Sequence, residues 1–292
     1  MLNTLKVGMM LTALTALFVL AGRAIGGQNG MLMAFFLAVA MNFGSYWFSD
    51  KIVLKMTGAQ PVGPSEAPAL YEMTQRLAQK ANLPMPALYV IEDPQPNAFA
   101  TGRNAQHAAV AVNSGLLEIL DRREVEGVIA HELAHIKHRD TLTMTIVATV
   151  AGAIMTIAQI GQFAAMFGGL SRDDDEGANP IGMLLAIVVA PLAAMMIQMG
   201  ISRAREFEAD ATAARLTGSP DGLINALSKL ERSSQAIPSF SQRPQTAHLC
   251  IVNPLAGGTG QFLAGLFSTH PPMEKRIAKL SELRNDPTLS AS

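Results

Sequence analysis

The sequence predicts a mainly α-helical integral membrane protein with four transmembrane helices, carrying an α+β domain with a small β-sheet. Three observations lead there. Of 292 residues, 49% are hydrophobic and only 15% are charged, against about a quarter charged in ordinary soluble domains. The deficit is uneven: five of the 45 charged residues fall in 1–60 and five in 141–202, so two membrane-like blocks alternate with two of ordinary composition. Four uncharged stretches, 7–22, 24–49, 141–171 and 177–202, compare with the roughly 20 apolar residues that cross a bilayer.

The last three stretches are long enough to span, and the first, at 16 residues, is marginal. It also has a signal-peptide look, but Gly22-Arg23-Ala24 is a poor cleavage site and another apolar stretch follows at once. The expected organisation is two transmembrane helices in 1–60 (about 7–22 and 29–49), a globular part in 61–140, a membrane hairpin in 141–202 (about 141–170 and 178–202), and a second globular part in 203–292. Lys6, Lys51, Lys55, Arg122, Arg123, Lys137, Arg139, Arg203 and Arg205 share one side, whereas Arg23 and Arg172 lie on the other. By the positive-inside rule both globular parts face the cytosol. A fully soluble globule is excluded. So is a purely membranous transporter, since the stretches hold no charged residue to mark an ion path. A net charge of −1 gives no basic face for nucleic acid. Cys250, the single cysteine, excludes a disulfide framework and any zinc site on paired cysteines.

In the first globular part, apolar spacing predicts a helix over 66–82, with Leu70, Met73, Leu77 and Ala78 on one face. Strands follow at 88–91, 97–101 and 107–112, the last two joined by Gly102-Arg103-Asn104-Ala105. A short helix over 114–120 precedes a stronger one, which Asp121 and Glu124 open as a capping box. The second part has helices over 201–216 (closed by Gly218) and 221–233, a loop at 238–244, and a final helix that Pro271-Pro272 starts. The cluster Gly257-Gly258-Thr259-Gly260 has no strand before it and reads as a turn, so no nucleotide site is expected.

The chemistry concentrates in His131-Glu132-Leu133-Ala134-His135. Four residues apart on a helix, the two imidazoles project from one face and can hold one metal ion. Glu132, about 100° round the helix, is misplaced as a ligand but can reach a metal-activated water as general base. His138 lies one turn too far along to share a small tetrahedral site. The third ligand is expected in Arg205-Glu206-Phe207-Glu208-Ala209-Asp210. Glu206 and Asp210 share a face, offering a carboxylate ligand and an acceptor for the far N–H of a ligating histidine. Glu208 competes, but it falls on a polar stripe with Arg205, Thr212 and Arg215. His107 and His248 have no partner at ligand spacing.

These motifs, together with Ser202-Arg203-Ala204 ahead of Arg205 and His270-Pro271-Pro272 leading into Arg276, resemble the HtpX family of membrane zinc endopeptidases, gluzincins related to the CAAX prenyl proteases. The likeness runs essentially end to end. It implies a gluzincin-type protease domain with one Zn2+ per chain held by His131, His135 and Glu206, Glu132 as catalytic base, and Asp210 orienting a histidine ligand. It matches Asn97-Ala98-Phe99 to the strand over the cleft, where an extended substrate adds as an edge strand. It places His270 and Arg276 near the zinc as further catalytic residues, with His270 either donating to the oxyanion or occupying the metal at rest. From the residues alone, His270 is also a good helix-entry residue, and Arg276 a partner for Glu274 or Asp210. The implied role is membrane-protein quality control and stress response in the bacterial cytoplasmic (inner) membrane, on damaged membrane and cytosolic protein substrates. Two alternatives stay open: a prenyl-peptide protease, and a membrane scaffold whose zinc is only structural.

Overall fold

The computed structural model describes residues 2–144, 203–236, 271–286 and 289. The third predicted span after Met144, the fourth predicted span, the 238–244 loop, the glycine cluster, His248, Cys250 and His270 lie outside the described residues.

Helix α1, Leu2–Thr57, would be about 84 Å long if straight. It is not straight. Asn42 Nδ2 donates to Leu11 C=O at 3.2 Å and to Thr15 Oγ1 at 2.8 Å, across 31 and 27 residues. A Cβ added to Gly22 would overlap the Gly30 carbonyl and the Ala34 methyl. The helical run therefore folds back on itself, and Gly27 (φ +59°) takes the left-handed conformation at the fold, which glycine adopts without a Cβ clash. Small residues let the two arms approach, as in membrane helix pairs. Gly27–Phe48 is long and apolar enough to cross a membrane, while Leu11–Leu20 is a shorter apolar stretch. Among the described residues, every large hydrophobic side chain that is exposed, apart from Leu117, lies on α1. Such a surface suits lipid.

The core of the globular part is a four-stranded mixed sheet, in the order β1-β2-β4-β3, with helices on it. Strands β1 (Gln60–Pro61) and β2 (Ala87–Ile91) are antiparallel, β2 and β4 (Ala108–Asn113) parallel, and β3 (Ala98–Gly102) and β4 antiparallel. Period-two alternation divides the side chains. Phe99, Ala109, Ala111 and Ile91 pack toward Val53 and Leu54 at the end of α1, whereas Ala98, Ala100, Val110 and Val112 join the main core. Both faces are thus covered and β3 is left as an edge strand.

Helix α2 (Pro68–Lys80) packs on α4, Arg122–Lys137, of whose 16 residues twelve are buried, and α3 (Ser114–Ile119) packs on β4. The expected capping box is present: Asp121 accepts from the Arg123 and Glu124 N–H groups, and Glu124 accepts from the Asp121 N–H. Helix α4 packs on β3 on one side and on α5 (Arg203–Thr217) and α6 (Asp221–Ala236) on the other. A Cβ on Gly127 would meet the Leu223 backbone at 2.6 Å, so glycine permits that crossing. Helix α7, Met273–Glu282, begins after Pro272 and packs on α5 and α6.

Candidate active site

Helix α4 presents His131 and His135 from one face, with their Nε2 atoms 3.2 Å apart and their rings edge-on. Glu206, in the first turn of α5, faces them. Its Oε2 lies 3.7 Å from His131 Nε2 and its Oε1 3.5 Å from His135 Nε2. All three are buried, at 2–3% exposure, and they form a group able to hold a metal ion. Ligands at 2.0–2.2 Å from a tetrahedral zinc stand about 3.3–3.6 Å from one another, and these three edges, at 3.2, 3.5 and 3.7 Å, come within about 0.1 Å of that range. Electrostatics agree. Burial alone would push His135 down, but the Glu206 carboxylate and the Asp140 hydrogen bond raise it to about 9, the signature of an acidic cage that favours a cation.

Glu132 is buried beside this group, and its Oε2 accepts from the Ala100 N–H at 2.7 Å. Strand β3 thus grips the carboxylate with an outward-facing backbone group. Asn97 C=O accepts from Asn113 N–H, which makes 97, 99 and 101 the residues bonded to β4 in the antiparallel ladder and turns the backbones of Ala98 and Ala100 to the open edge. Asn97 and Ala98 lie where the sequence placed them, at the start of the edge strand. Phe99 does not face the site: its side chain packs toward α1.

Asp210, one turn after Glu206, places Oδ1 2.9 Å from His131 Nδ1. Arg276 of α7 clamps that carboxylate from behind, Nε to Oδ2 at 2.9 Å and Nη2 to Oδ1 at 2.6 Å. Burial opposes the Asp210 charge, but the guanidinium holds the carboxyl down at about 2. Arg276 is 0% exposed, and its Nη1, 3.9 Å from Glu206 Oε2, has no hydrogen-bond partner among the described residues. Of the two partners open to it in the sequence, Arg276 takes Asp210. Its Nη2 also lies 3.4 Å from the ring nitrogens of His131.

Glu208 is exposed, on the far side of α5 from the histidines. His138 caps α4 and sits 3.4 Å from Thr212 Oγ1; burial pushes it down. Exposed His107 bonds to Asn104. One participant escaped sequence reasoning: Asp140, 1% exposed, whose Oδ2 lies 3.4 Å from His135 Nδ1. Its signal is a carboxylate five residues after a ligand histidine, where a helix ends.

The pattern of Peptidase family M48 matches residues 64–284. Proteins called Protease HtpX homolog are similar along nearly the whole chain. That of Methylibium petroleiphilum is 54% identical over 282 residues, covering 96% of this chain and 97% of the relative. That of Desulforapulum autotrophicum is 52% identical over 279 residues, covering 95% and 89%. The crystal structure of S. mikatae Ste24p superposes with a TM-score of 0.53 at 19% identity, covering 96% of this chain; the chain spans 65% of that longer one. The fold is thus shared with Ste24p. Because the family pattern takes in most of the chain and contains α4, α5 and α7 with their buried histidines and acids, the chain belongs to peptidase family M48 and is a metalloprotease.

Proposed function

We propose that the chain is a multi-pass zinc endopeptidase of the bacterial cytoplasmic membrane, with four spans and both globular parts on the cytosolic side, that cleaves damaged or misfolded membrane proteins. The observation that carries the chemistry is the triangle of Nε2, Nε2 and carboxylate oxygen at 3.2–3.7 Å, with Glu132 held beside it. Three protein ligands leave a fourth position open, as in catalytic and not structural zinc sites. His131, His135 and Glu206 would hold the zinc, which would supply Lewis acidity at that position. Glu132 keeps Oε2 on the Ala100 N–H and uses its other oxygen to take the proton of the attacking water, then passes it to the leaving amine nitrogen. Asp210 fixes the His131 ring through Nδ1, and Arg276 fixes Asp210. An extended substrate adds to the open edge of β3 at the Ala98 backbone and the Ala100 C=O, the Ala100 N–H being held by Glu132. The small side chains there let another strand approach, and Asn97 and Phe99 hold the strand to β4 and α1.

The test is casein cleavage by detergent-purified protein, with zinc content measured in parallel. Wild type is expected to cut with one zinc per chain, Glu132→Gln to keep zinc but be inert, and Glu206→Ala to lose both. A Glu132→Gln protein with full peptidase activity would sink this mechanism.

A further inference from the structure

Helix α4 ends in a Schellman turn. The Asp140 N–H donates to the His135 C=O at 2.9 Å and the Arg139 N–H to the Ile136 C=O at 3.1 Å. Arg139 adopts φ +60°, at the position glycine usually fills. The turn folds the chain back so that the side chain of Asp140 comes against that of His135, a pairing that in Schellman turns is frequently an apolar contact. Here it joins two buried polar groups: Asp140 Oδ2 lies 3.4 Å from His135 Nδ1. The other oxygen, Oδ1, accepts from Arg205 Nη1 at 3.2 Å. Arg205 lies one residue before Glu206, so the clamp reaches Asp140 from the same turn that supplies the third ligand.

We propose that Asp140 is a positioning residue of the metal centre: it holds the His135 ring by Nδ1 so that Nε2 faces the metal, and Arg205 holds Asp140. The turn does not need the carboxylate to close, because its two hydrogen bonds are made by backbone alone. A carboxylate at 1% exposure is a costly group to place there unless it is paired, and both of its oxygens meet a nitrogen of the site or its flank. The site then has two carboxylate–imidazole pairs, one built from a distant helix and one from the end of its own.

The inference rests on the proposed ligand set, and the experiment separates the two. Zinc affinity is measured by chelator competition on the full-length, detergent-purified protein, alongside the melting temperature of the metal-free form. Wild type is compared with Asp140→Asn, Asp140→Ala, Glu206→Ala and Arg139→Gly. Loss of a carboxylate behind a ligand histidine is expected to weaken zinc binding about 10- to 100-fold. Asp140→Asn, which still accepts a hydrogen bond, loses less than Asp140→Ala, and neither lowers the metal-free melting temperature by more than the loss of the Arg205 ion pair accounts for. Arg139→Gly, which suits the left-handed turn, keeps wild-type affinity. Wild-type affinity in both Asp140 variants, while Glu206→Ala loses zinc, overturns the proposal. So does weaker binding matched by an equal loss of metal-free stability, because the carboxylate is then a fold determinant only. If Glu206→Ala itself retains zinc, the ligand set has failed and not the positioning role alone.

Discussion

His131 and His135 are backed by the same succession of groups, a carboxylate and then an arginine, but the two successions are built differently. Behind His131, Asp210 stands at 2.9 Å and is gripped by two nitrogens of an arginine with no exposure. Behind His135, Asp140 stands at 3.4 Å and meets one nitrogen of Arg205, whose side chain is 15% exposed. The first assembly joins three helices, α4, α5 and α7, and exists only when the whole core is in place. The second is made by one turn plus one residue from α5. One histidine is thus fixed by tertiary packing and the other largely by the local geometry of a helix end. The fixed side should carry stability, and the local side should tune the metal.

The largest test of that difference is Asp210→Ala. It leaves the Arg276 guanidinium buried without its counter-charge, which costs about 3–5 kcal/mol. The variant is expected to melt far below wild type even without metal, as read by differential scanning fluorimetry in detergent. Asp140→Ala should not, because Arg205 can turn toward solvent. Equal losses from the two alanine variants would erase the distinction. Next in size is Gly127→Ala, which places a methyl against the Leu223 backbone and displaces α4 as a unit, costing about 1–3 kcal/mol. Both histidines move with the helix, so zinc affinity should fall together with melting temperature; a drop in either one alone would contradict a rigid α4. Arg205→Gln comes third, at about 1 kcal/mol or less. The ion pair it breaks is partly solvated, so the difference from wild type should shrink when melting is repeated at high salt. A salt-independent loss would mean that Arg205 is as deeply committed as Arg276.

Much of this was legible in the chain. Asp121 and Glu124 announce the start of α4 three residues apart, alternation marks β2 to β4, and a four-residue spacing puts His131 beside His135 and Asp210 below Glu206. Each of these is a local pattern, carried by helix or strand periodicity. What was not legible depends on contacts between distant segments or on unusual backbone. Arg276 had two candidate partners until α7 was seen packed on α5. Phe99 belongs to an edge strand, but its side of the sheet is set by where α1 ends. Asp140 was missed because the turn that delivers it has Arg139 where a glycine would have signalled a left-handed cap. The two arms of α1 were readable as apolar stretches at about 7–22 and 29–49, although only Gly27–Phe48 is by itself long enough to span.

The smallest expected effect on the metal comes from the opposite end of α4 and isolates the role of distance. Asp121 Oδ1 accepts from the Arg123 N–H at 2.8 Å and the Glu124 N–H at 3.0 Å, and Glu124 returns a bond to the Asp121 N–H while also pairing with Lys229 at 2.7 Å. Asp121→Ala removes two acceptor contacts from the first turn, and a lost cap of this kind lowers melting by about 2–4 °C in a domain of this size. His131 lies ten residues further on, about 15 Å along the axis, so zinc affinity should stay at the wild-type value, in contrast to any change at Asp140. The pH dependence has a definite sign. The Glu124 backbone N–H holds the Asp121 carboxyl below its usual range, so its contribution is fully present above the ordinary aspartate value of about 3.9 and fades as pH falls through the lowered one. Wild type and Asp121→Ala should therefore differ at neutral pH and converge in strong acid. A gap that instead widened on acidification would show that the cap is held by something other than the ionised carboxylate.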